Sequence, residues 1–299
     1  MFGLFGFKSV EKRIKKVDNI SVRGYSHILD NTECQDSSIS WRNDKYAALI
    51  MSDGHGGEKH FRSSEGSRIA CEVGKNAVFS FMDMIGNNGY LHDDFIFNHT
   101  KREEMLCQLE KSIIQHWNES VDIHLSGNPV EQDTEFSALN DIDKKTVLET
   151  PAKAYGATFI AAVVFERYFF ILKLGDGNVC VIRRKNPYLF YGADDELKDE
   201  QLQFNITTSL CNGDADKEFR HCFFDVRRYR CFNGVILTTD GIINSYASEQ
   251  SYLNFIRNII KGYKEETLGS AHAELAEFLP RLSEKGSGDD LTVGIIFLN

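Results

Sequence analysis

Apolar positions along this chain follow two rhythms. Through Glu65–Met84, Ile69, Val73, Ala77 and Phe81 recur at every fourth residue, and through Glu103–Ile123, Leu106, Leu109, Ile113 and Trp117 keep a spacing of three or four. That period predicts two helices of about 20 residues, each with one apolar face. Elsewhere the apolar residues run on with little interruption. Ile20–Tyr25, Tyr46–Met51, Ala157–Phe165, Tyr168–Leu174, Val179–Arg184, Gly234–Thr238 and Leu291–Leu298 read as strands. The short links Glu166–Arg167 and Gly175–Asp176–Gly177–Asn178 predict antiparallel pairing of the strands on either side. Two further helices are expected near Glu249–Lys261 and Ala271–Leu282, and residues 126–153 and 188–219 read as polar, variable loop regions. There is no internal repeat and no linker between autonomous halves. Strands before helices, hairpins in the middle and a final strand predict an α+β fold: an antiparallel β-sandwich with helices packed outside.

Composition narrows the class. Of 299 residues 42% are hydrophobic, with only 4 Pro and 23 Gly, enough for a sizeable core and unlike a disordered or collagenous chain. Lys and Arg number 34 against 44 Asp and Glu, a net charge of −10, which argues against a nucleic-acid groove. No apolar run is long enough to span a membrane. The apolar opening Met1–Phe7 precedes the basic residues Lys8, Lys12, Arg13, Lys15 and Lys16, the reverse of a secretory signal. Residues 1–17 are therefore expected to be an N-terminal extension, a helix packed on the body, and 18–299 a single domain. The 7 cysteines form no C-x-x-C pair, so reduced thiols in a cytoplasmic protein are expected.

The chemistry is suggested by what lies at the strand ends. Tyr46–Ser52 runs into Asp53-Gly54-His55-Gly56-Gly57, Phe169–Leu174 into Gly175-Asp176-Gly177, and Val235–Thr239 into Asp240-Gly241. The last strand starts directly after Asp289-Asp290, and Gln35-Asp36 follows the first. Any one of these is an ordinary turn. Together, at one edge of the sheets, they form a carboxylate cluster. Two carboxylates about 4 Å apart repel by roughly 4 kcal/mol at an effective dielectric near 20, so four stay ionised only around divalent cations. All-oxygen ligation points to Mg²⁺ or Mn²⁺, and a two-ion site to metal-assisted hydrolysis of a phosphoester. There is no G-x-x-x-x-G-K-S/T loop, H-E-x-x-H pair or G-x-S-x-G elbow to support a rival chemistry.

The set of segments resembles the metal-dependent serine/threonine protein phosphatases of the 2C type, in particular their prokaryotic branch. In order these are Gly24-x-Ser26-His27 with Cys34-Gln35-Asp36, then Asp53-Gly54-His55-Gly56-Gly57, Gly156-Ala157-Thr158 and Gly175-Asp176-Gly177. Thr207-Thr208-Ser209-Leu210, Thr239-Asp240-Gly241 and Asp289-Asp290-Leu291-Thr292 complete the set. The resemblance implies a four-layer α-β-β-α sandwich with two Mg²⁺ or Mn²⁺ ions in a channel at one edge. Asp53 would bridge both ions, the Gly54 carbonyl and Asp36 (directly or through water) would complete one site, and Asp240 and Asp289 the other. Asp176 matches the position that, with Asp240, helps hold a weaker third ion in many relatives. It also implies attack by a metal-activated water with no covalent intermediate, and His55 as the acid that protonates the departing oxygen; the plainer reading of His55 is a turn histidine.

This sequence departs from the family pattern in places. Asn31 stands near where many relatives carry a phosphate-gripping arginine, leaving Arg23 or His27 as candidates for substrate phosphate. Gln35 replaces an acidic residue before Asp36, Asp290 adds a negative charge to the mouth, and Cys34 adjoins the site as a buried thiol or a redox-sensitive one. The resemblance implies a phosphoprotein substrate, an opposing Ser/Thr kinase and a monomer. The alternatives are a catalytically inactive scaffold, which the presence of all four carboxylates Asp36, Asp53, Asp240 and Asp289 disfavours, and a phosphohydrolase acting on a small phosphoester.

Overall fold

The uninterrupted apolar runs become strands whose two faces meet different partners. In β3 (Tyr46–Ser52), Tyr46, Ala48 and Ile50 pack towards helices while Ala47, Leu49 and Met51 pack towards a second sheet. β4 (Phe159–Phe165) divides in the same way, with Phe159, Ala161, Val163 and Phe165 on the helical side and Ile160, Ala162 and Val164 between the sheets. A strand buried on both faces has no polar face, so continuous hydrophobicity replaces alternation. The fold was determined as a computed structural model, and residues 14–184, 186–189, 208–226 and 232–298 are described.

One sheet has the order β2 (Ser37–Arg42), β3, β4, β5 (Tyr168–Leu174), β8 (Arg220–Asp225). The other has the order β1 (Ile14–Val22), β10 (Leu291–Leu298), β9 (Phe232–Thr238), β6 (Asn178–Arg183), β7 (Asn186–Leu189), and all pairs are antiparallel. The sheets stack on a core that includes Leu49, Ile160, Phe169, Leu237 and Ile296. Gly294 of β10 lets them approach, since a Cβ there would lie 2.3 Å from Leu49 Cδ1. The helices α2 (Ser63–Asn87), α3 (Gly89–Phe97) and α4 (His99–Gly127) cover the outer face of the first sheet, burying Phe81, Phe95, Ile113 and Trp117. α9 (Glu249–Glu265) and α10 (Leu268–Lys285) cover the second, burying Tyr252, Ile256 and Leu279 against Ile236, Val293 and Ile295. This is the expected α+β sandwich between helical layers.

Several expectations are corrected. β5 and β6 do not pair: the Gly175–Gly177 link carries the chain from one sheet to the other, with Gly175 at φ +108. A tight Gly-Asp-Gly link looks the same in sequence whether it closes a hairpin or crosses between layers. The first strand begins at Ile14, so residues 14–17 belong to the sheet, and it ends before Gly24, where α1 (Tyr25–Asp30) starts. β2 and β8 were not expected; Ser37–Arg42 is an edge strand with two thirds of its positions polar. Residues 126–153 are largely helical, containing α5 (Thr134–Ala138), α6 (Asp141–Glu149) and two 3₁₀ turns that bury Val130, Phe136 and Val147. These helices are too short for their period to register. Within 188–219 the chain forms the end of β7 and α7 (Ala215–Glu218), while residues 190–207 and the opening Met1–Phe7 lie outside the described residues.

Candidate active site

The strand ends that carry aspartates do meet at one edge. β9 and β10 pair as Thr238 with Val293, and β6 and β9 as Asn178 with Thr238, so Asp240, which opens α8 (Asp240–Asn244), emerges beside Asp289 and Asp176. From the first sheet, Asp53 leaves β3 and is fastened to the start of β4: Thr158 N–H donates to Asp53 O at 2.8 Å, and Asp53 N–H donates to Thr158 Oγ1 at 2.9 Å. The carboxylate oxygens of Asp53, Asp176 and Asp240 lie within 4.8 Å of one another. They line, with Asp289, an open cavity of about 350 Å³ whose other wall includes Gly54, His55, His60 and Thr158.

Asp36 lies deeper. It is buried, it does not line the cavity, and its Oδ2 accepts hydrogen bonds from Thr239 Oγ1 at 2.8 Å and Thr292 Oγ1 at 2.7 Å. Its loop is tied to the Asp53 loop by Gly54 N–H, which donates to Gln35 O at 3.1 Å. Gly54 has no room for a side chain, since a Cβ would lie 2.7 Å from both Gln35 O and Ser63 O.

The electrostatics are those of crowded acids. Burial, and then the neighbouring Asp36 and Asp240, hold the Asp53 carboxyl well above the usual range. Asp36 is raised by burial against the opposing help of the Thr292 hydroxyl, and Asp240 and Asp289 are raised by burial as well. Carboxylate oxygens of Asp53 and Asp240 lie within 4.8 Å of each other, a spacing at which a shared proton or a cation relieves the repulsion. The donor set contains only oxygens, which fits Mg²⁺ or Mn²⁺.

His55 N–H donates to Gly156 O at 2.9 Å, and the ring packs edge-on against His60 with centroids 5.1 Å apart. Burial, then the adjacent His60, pushes the His55 imidazole down to about 4. His60 is anchored by its Nδ1–H, which donates to Lys153 O, and burial lowers it too. Both rings lie against Gly156, where a Cβ would be 2.4 Å from His60 Nδ1 and 2.7 Å from His55 Cδ2.

The structure gathers Asp53, Gly54, His55, Asp176, Asp240 and Asp289 around the cavity and sets Asp36 behind it. It does not bring Arg23 or His27 there: Arg23 Nη2 donates to His27 O at 2.7 Å and His27 Nδ1 pairs with Asp290 Oδ1 at 2.9 Å. Asp290 is not an added charge at the mouth. It is buried, and its oxygens accept from Gly24 N–H, from Gln35 N–H at 2.6 Å and from His27. The Cys34 thiol is raised by burial and half-covered, donating to Asp36 O at 3.6 Å, which fits an inert thiol. Sequence reasoning did not assign His60 or Thr158 a role at the site. Thr158 stood in a family segment, whereas nothing near His60 in sequence marks it.

Comparison with known proteins places this geometry. No curated protein matches the sequence. Among solved structures, the serine/threonine phosphatase Stp1 from Staphylococcus aureus is 14% identical over 100% of both chains, with a TM-score of 0.56. The S. agalactiae serine/threonine phosphatase is 14% identical over 95% of this chain and 99% of that one, with a TM-score of 0.54. The catalytic domain of the phosphatase PstP, in complex with two manganese ions, is 14% identical over 95% and 97%, with a TM-score of 0.50. These likenesses show a shared fold. The model of the protein phosphatase 2C family matches residues 23–280, which contain the strands β2 to β9 and every aspartate that lines the cavity except Asp289. The chain belongs to the protein phosphatase 2C family.

Proposed function

We propose that this protein is a Mg²⁺- or Mn²⁺-dependent serine/threonine phosphoprotein phosphatase. The observation that carries the reading is the convergence of Asp53, Asp176 and Asp240 oxygens within 4.8 Å at a cavity that also holds His55. Asp53, the Gly54 carbonyl and Asp36 would hold one ion, Asp53, Asp240 and Asp289 a second, and Asp176 with Asp240 a third. Ions bound here would supply an activated water and offset the charge of the phosphoryl oxygens.

The chain's own groups supply the rest. Thr158 fixes the backbone of Asp53, and Thr239 with Thr292 fixes the Asp36 carboxylate. His55 lines the same cavity as Asp240 and would give a proton to the departing serine or threonine oxygen, the negative charge of a bound phosphate raising its imidazole from the low value that burial gives it. Its ring packs edge-on against His60 and lies against Gly156. Among the described residues no arginine lines the cavity, and in this reading the cations bind the phosphate. In this reading the substrate is a phosphoprotein whose kinase this enzyme opposes, and the enzyme acts as a cytoplasmic monomer. Among the described residues no helix is long and apolar enough to cross a membrane.

Phosphate release from a phosphothreonine peptide tests the proposal. It is expected with Mn²⁺, is abolished by EDTA, and falls by at least about a hundredfold in Asp53→Asn. A folded protein that releases no phosphate with Mn²⁺ rejects it in favour of a binding module, and faster turnover of small phosphoesters than of peptides rejects the protein substrate.

A further inference from the structure

Outside the carboxylate cavity, a second group of ligand-type side chains meets between α4 and β8. Glu103, Cys107 and Glu110 are spaced by four and three residues along α4 and so share one face. His221 of β8 faces them, its Nδ1 2.8 Å from Glu110 Oε1 and its Nε2 3.1 Å from Glu103 Oε2. Cys107 Sγ, a Glu110 carboxylate oxygen and a His221 ring nitrogen all lie within 4.8 Å of one another. Glu110 is 4% exposed, a carboxylate taken deep into the contact between helix and sheet.

A histidine between two glutamates is by itself a structural ion pair. The thiol arriving at the same point is what an ion pair leaves unexplained. We propose that Cys107, Glu110 and His221 form a metal site of the zinc class, with Glu103 orienting the histidine. Sulfur, nitrogen and oxygen donors together select Zn²⁺ over Mg²⁺ or Ca²⁺. With zinc–ligand bonds of about 2.0–2.3 Å, tetrahedral ligand atoms sit roughly 3.2–3.6 Å apart, so the three groups reach the ion by small side-chain movements. His221 binds through Nδ1, now shared with Glu110, and keeps its Nε2–H on Glu103, the carboxylate–histidine–metal arrangement that fixes ring orientation. Cys107 releases its thiol proton to solvent on binding, and because it is exposed a water completes the shell. The ion would fasten α4 to the outermost strand of its sheet, which among the described residues is hydrogen-bonded in the ladder only to β5.

Cobalt(II) titrated into the whole chain reads this site separately from the first. A thiolate ligand gives sulfur-to-cobalt absorption in the near ultraviolet, whereas among the described residues the carboxylate cavity has no thiol in its lining. One equivalent of Co²⁺ is expected to produce that band and Zn²⁺ to remove it. Cys107→Ser, a change at an exposed position, is expected to abolish it, and His221→Gln to weaken Co²⁺ uptake at least about tenfold. No thiolate band, or a band that persists in Cys107→Ser, overturns the proposal.

Discussion

Asp53 and Thr158 are joined twice, once from each main chain: the Thr158 amide donates to the Asp53 carbonyl, and the Asp53 amide donates to the Thr158 hydroxyl. The central carboxylate of the cavity is thus held by the residue that opens the neighbouring strand. Thr158→Val keeps the shape and leaves the Asp53 N–H without its acceptor. An unpaired buried donor costs about 1–3 kcal/mol. Urea unfolding is expected to show a loss in that range, and phosphate release is expected to fall beyond what the lost stability explains. Unchanged turnover in the folded variant would falsify a positioning role for this contact.

Gly156→Ala is expected to act on the histidine pair. Its backbone is at an ordinary φ of −48, so the added methyl meets no conformational penalty, only the rings of His60 and His55 at 2.4 and 2.7 Å. The rings must shift to admit it. We expect a fall in kcat of at least about tenfold, since displacements near 1 Å cost that much or more, with Mn²⁺ binding by calorimetry little altered. Wild-type kcat in this variant means that His55 position does not matter.

Asp290→Ala removes the acceptor shared by Gly24 N–H, Gln35 N–H and His27. Hydrogen bonds to a buried charge contribute about 1.5–3 kcal/mol each when both partners stay dry, and water entering the gap returns part of it. A net destabilisation of about 2–3 kcal/mol is expected in denaturant titration, together with weaker Mn²⁺ binding, because the Asp36 loop loses its tie. Full stability in the variant contradicts the role given to Asp290.

The raised carboxyls give a pH dependence with a definite sign. Asp36, Asp53, Asp240 and Asp289 all hold protons more tightly in the metal-free folded chain than an unfolded chain does. Their contribution to stability is therefore present below the ordinary carboxylate pKa, near 4, and is lost as the pH climbs through the raised values. In EDTA the melting temperature is expected to decline across that window. Cations replace the protons, so Mn²⁺ should flatten the decline, and at 100 times its Kd it adds about 2.7 kcal/mol. Melting curves at a series of pH values, with and without Mn²⁺, check this; parallel curves contradict it.

The sequence made some of this architecture plain and hid the rest for identifiable reasons. Tyr46–Ser52 and Leu291–Leu298 were legible because both faces are buried, and the aspartates beside them stood out against so apolar a background. α2 and α4 were legible because they are long enough to repeat their period. β2, mostly polar at a sheet edge, and α5 and α6, a turn or two each, carry too little pattern. The roles of His60 and Asp290 were hidden because their partners are remote: Lys153 is 93 positions from His60, and Gly24 and Gln35 are 266 and 255 positions from Asp290. Only closure of the sandwich brings them into contact.

The cavity draws Asp53 from the end of one sheet, Asp240 and Asp289 from the other, and Asp176 from the link that crosses between them. The cluster therefore works like the jaws of a caliper: its opening follows the spacing between the two sheets. Gly294, which keeps that spacing small against Leu49, sets the gauge from within the core. Swelling the core there would spread the jaws, and cation affinity at the rim would become a readout of the spacing of the sandwich, registered before any strand has come apart.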